Sequence, residues 1–310
     1  MIDDSTRKDI ENISYNLLKE SKSFDIFPTP VDKITKYSNF ALDNGLDLSE
    51  VDNSFFNVVK EKLLNPSIKA LSAALSKVKG IFNREEKIIY IDVGLDKNIG
   101  KKNFVQLHEV GHGLLSWQDE IILALDNDET LNEEYEEQFE AEANYFASIT
   151  LFQHDRFLSE CQKLNLGLGA VMALSKKFGS SVHSAFRNYV LQSKKRCMLL
   201  VLNHPTDTST KTLTTRNLFY SRPFLSEFGE LALPEEFGFT WAFVQDFTFR
   251  KKLHEKGEID LTTKSGETIK AGYHFFNNTY NSFVFIFPKG EKNKAKTRVI
   301  LRTNSSGHTL

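Results

Sequence analysis

The sequence predicts an α+β protein: a mainly helical first half that carries a β-hairpin, a short helical segment after it, and a β-rich C-terminal domain. Three observations lead there. Through the first two thirds of the chain, apolar residues recur at helical spacing, broken by one pair of β-rich runs near residues 78–92. Beyond about residue 196 the pattern shifts to apolar runs of strand length, such as CMLLVLN and NSFVFIFP. Finally, 310 residues with 40% hydrophobic and 26% charged positions describe an ordinary globular chain, long enough for two or three structural units. The expected divisions are 1–160, 161–195 and 196–310.

Taken in order, STRKDIENISYNLLKE places Ile10, Ile13, Leu17 and Leu18 near helical spacing, giving an N-terminal helix. In FPTPVDKITKYSN, Thr29 is expected to cap a second helix with Pro30 at its first position, where a missing N–H costs nothing. Residues 51–77 read as helical, interrupted at Asn65-Pro66 because proline cannot continue the helix upstream. In SKVKGIFNREEKIIYIDVG, the runs Val78–Phe82 and Lys87–Asp92 flank a polar turn and predict a hairpin. A Lys/Asn/Gly loop leads from it into a helix containing NFVQLHEVGHGLLSWQDE, and a long acidic helix, roughly Asn132–Phe152, follows. AVMALSKKFGSSVHSAFRNYV then reads as helix, Gly179, serine caps, helix. In the last part CMLLVLN is a strand. TWAFVQDFTF puts Trp241, Phe243, Phe247 and Phe249 on one face of another, broken by Gln245. NSFVFIFP, apolar on both faces, has the character of a central strand.

Composition narrows the partners. Lys and Arg total 39 against 41 Asp and Glu, a net charge of -2, so nothing in the overall balance demands nucleic acid. The helix-Gly-helix at 170–190 is not expected to read DNA either, since Val182–Gln192 has only Arg187 as a firm positive charge. The basic stretch KGEKNKAKTRVILR reads as a solvated terminal hairpin. MIDDSTRKD is polar with no apolar run behind it, so no signal peptide is expected. Runs such as MLLVL and FVFIF are too short to cross a bilayer, and a cytoplasmic location without membrane partners is the expectation. Cys161 and Cys197 are too few for a disulfide framework and are expected to be buried thiols.

The chemistry concentrates in LHEVGHGLL. His108 and His112, four apart on a helix, share a face and can point at one ion. Glu109, rotated by about 100°, can reach a water on that ion without being a ligand. Neutral imidazole suits zinc, with manganese or iron compatible once a carboxylate joins; no organic cofactor is expected. Val105, Leu107, Val110, Leu114 and Leu115 would anchor the helix in a core, and Gly111 would let another backbone approach. The third ligand is sought in EEYEEQFEAEANYFASITL. On its helical wheel the apolar arc runs through Tyr135, Phe146, Phe139, Ala143 and Ala147, with Glu140 at the edge of small neighbours and Glu142 at the bulkier edge. Small neighbours permit close approach, which favours Glu140. Asn144, one turn later, could hydrogen-bond a ligating histidine. Glu133, Glu134, Glu136 and Glu137 read as a solvated face.

VKGIFNREEKIIYI, FVQLHEVGHGLL and FEAEANYFASITLFQHDRF, in that order and at short separations, together resemble the ImmA/IrrE family of bacterial metallopeptidases. That family's pattern is a hairpin, a HExxH helix, then a helix reading E-x-x-A-N/D-x-F-A. The likeness runs from about residue 77 to 160 and weakens beyond 200. It implies a zincin-like metallopeptidase domain with ligands at His108, His112 and Glu140 and the general base at Glu109. Where members have a leucine-methionine-proline stretch, this chain has Leu151-Phe152-Gln153-His154, so His154 is either a polar surface residue or an extra catalytic group. Tyr145, His154 or residues of the C-terminal domain are the candidate donors to the oxyanion. The resemblance further implies cleavage of a helix-turn-helix transcriptional repressor, in stress response or mobile-element control, under a regulatory or substrate-recognising C-terminal domain. Two alternatives stand beside it: a non-proteolytic metal-containing regulatory binding protein, and a toxin or phage-encoded metallopeptidase with another target.

Overall fold

The computed structural model describes residues 2–47, 79–118, 133–205, 212–278 and 280–291, the side chains of 133–136 excepted. The expected helices within 51–77 and nearly all of the basic stretch from residue 289 on lie outside them. The chain divides into two compact units, Met1–Gln162 with Val171–Ser193, and Lys163–Ala170 with Lys194–Leu310. The 161–195 segment expected to stand apart is thus shared, most of it with the first unit. One tie is Asn103, whose side-chain amide donates to the Gly179 carbonyl at 2.8 Å.

In the first unit, α1 (Asp4–Glu20) starts at Asp3, whose carboxylate accepts from the backbone N–H groups of Ser5 and Thr6. It buries Ile10, Leu17 and Leu18. α2 (Val31–Tyr37) begins one residue later than expected, with Pro30 at the cap position. Thr29 does not cap it, because its hydroxyl instead donates to the Leu151 carbonyl at 2.7 Å, joining the entry of α2 to a distant helix end. Three short strands follow, β1 (Ala41–Asp43), β2 (Gly80–Asn83) and β3 (Ile88–Ile91). β2 and β3 form the expected antiparallel hairpin, while β1, too short to show a period, pairs parallel to β3. The order β1-β3-β2 leaves β2 at one side of the described sheet.

Against this sheet and α1 pack the histidine helix α3 (Ile99–Leu114) and the acidic helix α4 (Glu133–Leu151). Their common core holds Ile10, Leu18, Ile34, Ile89, Leu107, Val110, Phe146 and Leu151. α5 (Asp155–Lys163), α6 (Leu168–Phe178) and α7 (Val182–Gln192) are the remaining α-helices among the described residues before residue 194. Gly179, at φ 69°, separates the last two, and the Ser181 hydroxyl caps α7 by accepting from Ser184 N–H at 3.1 Å, as the sequence indicated.

The second unit is built on one antiparallel sheet of β4 (Met198–Asn203), β5 (Leu213–Tyr220), β6 (Glu236–Phe237), β7 (Leu253–Thr262), β8 (Thr268–Asn277) and β9 (Asn281–Pro288). The spatial order is β6-β5-β4-β9-β8-β7, so β4 and β9, first and last of the long strands, pair at the centre. Both are buried on both faces, which their unbroken apolar runs require. Two helices, α8 (Arg222–Phe228) and α9 (Ala242–Thr248), lie between β5 and β7 in sequence. α9 corrects the strand expected in TWAFVQDFTF: Phe243, Val244 and Phe247 are spaced for a helical face, while Trp241, Phe243, Phe247 and Phe249 also fit alternation.

What decides for the helix is Asp246. It is buried, and its carboxylate accepts from Lys251 Nζ at 2.6 Å, His254 Nδ1 at 2.8 Å and the Tyr273 hydroxyl at 2.8 Å. Burial alone would raise its pKa, but these three partners outweigh that and hold it below the ordinary value of 3.8. A depressed folded-state pKa contributes stability above the unfolded value, lost as pH falls through the folded one. Asp246→Ala is therefore expected to cost about 3 kcal/mol at neutral pH, on the order of 10 °C in the midpoint for a unit of this size. Thermal unfolding at neutral pH and near pH 3 checks this: the gap between variant and wild type should narrow in acid.

Neither cysteine is in a disulfide; Cys197 is buried, and burial pushes the partly buried Cys161 thiol up to about 12, out of the reactive range. Among the described residues, no helix is long and apolar enough to cross a membrane.

Candidate metal centre

α3 is started by Asn98, whose side chain accepts from Lys101 N–H at 3.1 Å, and is held by buried Leu107 and Val110. With that face fixed in the core, the 3.6-residue turn sends His108 and His112 out along one line. α4 meets this line closely because Gly111 lacks a side chain: a Cβ there would lie 3.4 Å from the Ala143 backbone and 3.0 Å from the Phe146 ring. The small edge of α4 is thus the edge that faces the histidines, and it carries Glu140.

The three side chains converge. His108 Nε2 lies 3.2 Å from Glu140 Oε2, His112 Nε2 lies 3.3 Å from Glu140 Oε1, and the two Nε2 atoms are 3.1 Å apart. Donors around a tetrahedral ion with bonds of about 2.0–2.1 Å are separated by roughly 3.3–3.4 Å. The spacing fits such an ion, and so does the chemistry of two imidazole nitrogens facing a carboxylate. Among the described residues this is a cluster of three with the composition and spacing to hold a metal.

Glu109 points elsewhere. It is 7% exposed and faces the hairpin, where a Cβ on Gly80 would lie 2.7 Å from its Oε1. The same Cβ would lie 2.6 Å from Val105 Cγ1, so glycine at that position of β2 lets both side chains of α3 keep their places. Burial raises the Glu109 pKa; His112 and His108 oppose the rise, Glu140 adds to it, and Arg84 at the end of the hairpin strand opposes it. Burial also acts against a charged His112, but Glu140 and Glu109 outweigh it and raise that pKa. At Glu140, desolvation works against the carboxylate, yet hydrogen bonds and charge from the two histidines hold its pKa well below the ordinary range.

The other residues singled out in the sequence are not brought to this cluster. Asn144 lies one turn beyond Glu140 and is exposed, without a hydrogen bond to either histidine among the described residues. Tyr145 is five residues past Glu140, about 140° around the helix, and its hydroxyl donates to Glu11 of α1 at 2.6 Å with Arg7 over its ring. His154 follows the end of α4, roughly three turns along from Glu140, where its Nε2 lies 3.0 Å from the buried Ser14 hydroxyl. Tyr145 thus links α4, and His154 the turn after it, to α1, so neither is brought to the cluster. Closeness in sequence does not survive the turn of the helix.

Residues that sequence reasoning passed over stand behind the cluster instead. His112 Nδ1 lies 3.0 Å from Gln118 Oε1. Gln118 in turn reaches Glu142, which is fully buried and also takes hydrogen bonds from Trp117 and Gln138. The wheel had set Glu142 at the bulky edge of α4, the only hint of this placement. Gly80 left no signal beyond being a glycine in a strand-like run.

A family model described as IrrE N-terminal-like domain, a peptidase family, matches residues 63–186, the span that holds both helices of the cluster. No curated protein matches the chain. Among solved structures, a Mycobacterium tuberculosis transcriptional regulator is similar over 90% of this chain and 75% of its own, with a TM-score of 0.51 and 14% identity. At that identity the likeness is one of fold. The donor cluster, the hairpin beside it and the matched span agree: residues 63–186 match the IrrE N-terminal-like domain model, which supports a likeness to the ImmA/IrrE family of peptidases, a generally metal-dependent group.

Proposed function

We propose that this protein is a metal-dependent endopeptidase that hydrolyses a peptide bond in one specific protein, a helix-turn-helix transcriptional repressor, in stress response or mobile-element control. The observation that carries the hydrolytic reading is the convergence of His108, His112 and Glu140 with a buried, non-converging Glu109 beside them. The repressor rests on the family resemblance. Zinc is the metal that two imidazoles and a carboxylate suit best, with manganese or ferrous iron the other candidates. A divalent ion held by these three residues supplies Lewis acidity toward a carbonyl and acidifies water.

The chain's own groups do the rest. Glu109 takes the proton of the attacking water and later delivers it to the leaving amine, the work of one carboxylate acting as base and then as acid. Gly80 keeps that carboxylate in place by leaving it space. β2 lies beside α3 at the side of the described sheet, where an extended segment of substrate can add as a strand. Gly80→Ala is expected to slow hydrolysis about tenfold to a hundredfold, as a displacement near 1 Å does, at unchanged metal content. Single-turnover rates and elemental analysis on the same preparation check it.

The test of the whole reading is direct. The full-length chain, supplied in turn with zinc, manganese and ferrous ion, is incubated with candidate helix-turn-helix repressors, first any that is encoded beside its gene, and intact masses are followed. One metal-dependent cut supports the proposal. A stable complex left uncut with all three ions moves the non-proteolytic regulator to the front. Cleavage confined to an unrelated protein favours the toxin or phage-type peptidase.

A further inference from the structure

We infer that Glu142 and Gln118 are positioning residues: a one-way chain of hydrogen bonds from Glu142 through Gln118 sets the tautomer of His112, leaving its Nε2 lone pair toward His108 and Glu140. The consequence for metal affinity rests on the metal-dependent reading above; the consequence for the tautomer does not.

The direction follows from two groups that have no choice. The Trp117 indole N–H can only donate, and it meets Glu142 Oε2 at 2.9 Å, so that oxygen is an acceptor. A backbone carbonyl can only accept, and the Phe139 carbonyl lies 3.4 Å from the amide nitrogen of Gln118. The same nitrogen lies 2.9 Å from Glu142 Oε2. Two acceptors therefore hold the NH₂ end of Gln118, and a third donor, the amide of Gln138, meets Glu142 Oε1 at 2.9 Å. With its nitrogen committed, Gln118 offers His112 an oxygen, at 3.0 Å from Nδ1. The proton of a neutral His112 ring must then sit on Nδ1, and Nε2 carries the lone pair. Gln118 and Glu142 are both 0% exposed, so water does not compete for these bonds. His108 has no such chain: its buried Nδ1 has no hydrogen-bond partner among the described residues.

The argument separates Glu142→Gln from Glu142→Leu. A glutamine at 142 can place its oxygen toward Trp117 and Gln118 and its nitrogen toward Gln138, whose amide turns to suit, so the relay survives. A leucine removes the acceptor and frees Gln118 to turn its nitrogen to His112. The first readout uses metal-free, full-length protein labelled with ¹⁵N-histidine, at a pH above the histidine range, with the His112 signals assigned by their loss in His112→Gln. Long-range ¹H–¹⁵N spectra should show an unprotonated Nε2 in wild type and Glu142→Gln, and a shift toward protonated Nε2 in Glu142→Leu and Gln118→Leu.

The second readout is zinc affinity by competition with a chromophoric chelator. Glu142→Leu and Gln118→Leu should each bind about ten- to hundredfold more weakly, Glu142→Gln within about threefold of wild type, and the double leucine variant no more weakly than Gln118→Leu alone. A protonated Nε2 in wild type, an unchanged tautomer in both leucine variants, or losses that multiply in the double variant would overturn the relay. Should Glu142→Leu not fold, Gln118→Leu against Glu142→Gln carries the comparison. Wild type that binds no zinc while the tautomers behave as stated would sink the metal reading and leave the relay standing.

Discussion

Glu109→Gln is expected to lower the rate of peptide hydrolysis by about 10²–10⁴-fold, the contribution of a positioned general base, while the chain keeps its metal. Glutamine matches glutamate in shape, so the small space beside Gly80 is filled as before. What it loses is the ability to take a proton. Metal is retained because neither Glu109 oxygen belongs to the group that converges with His108, His112 and Glu140. Initial rates of cleavage and elemental analysis of one preparation decide the matter. A variant that cleaves at the wild-type rate removes Glu109 from the mechanism; one that loses its metal as well makes Glu109 part of the binding site and not a base.

The second large effect falls on binding. Glu140→Gln is expected to reduce bound metal from about one ion per chain to background, with chelator competition showing a loss beyond the roughly 100-fold that outer partners cost. Glu140 bridges both histidines, with one oxygen 3.2 Å from His108 Nε2 and the other 3.3 Å from His112 Nε2. It also supplies the only negative charge in the trio, since neutral imidazoles leave the charge of a divalent ion uncompensated. Its pKa, held low by the two histidines, means that it is ionised and ready over the whole neutral range. Wild-type metal content in this variant would place the third ligand elsewhere.

How far the sequence could be read follows the range of the interactions involved. The histidine pair and Glu140 were legible because a helix repeats every 3.6 residues, so four letters fix a face and an apolar arc fixes which edge meets a neighbour. The hairpin and the strands β4 and β9 were legible for the same local reason. Gln118 was not: it enters the site only because the chain leaves α3 at Leu115, and then meets Glu142, 24 residues on. Tyr145 and His154 misled in the opposite sense, being near Glu140 in sequence and directed at α1 in space. The segment around Asp246 has apolar residues that fit either period, and the choice was made by Lys251, His254 and Tyr273, partners no window over TWAFVQDFTF contains.

The central position of β4 and β9 sets a schedule for the newborn chain. β4 ends at Asn203, while β9, its partner along one whole edge, begins only at Asn281. At the usual pace of about 5–20 residues per second, the ribosome takes on the order of ten seconds to deliver it. Throughout that wait β4 is bordered on one side alone, with apolar side chains on both faces and a row of unclaimed peptide groups open to other chains. Closing the intervening loop also takes longer than forming a hairpin. The interval in which β4 waits for its second neighbour is therefore written into the strand order, at the middle of the sheet that finally shields it.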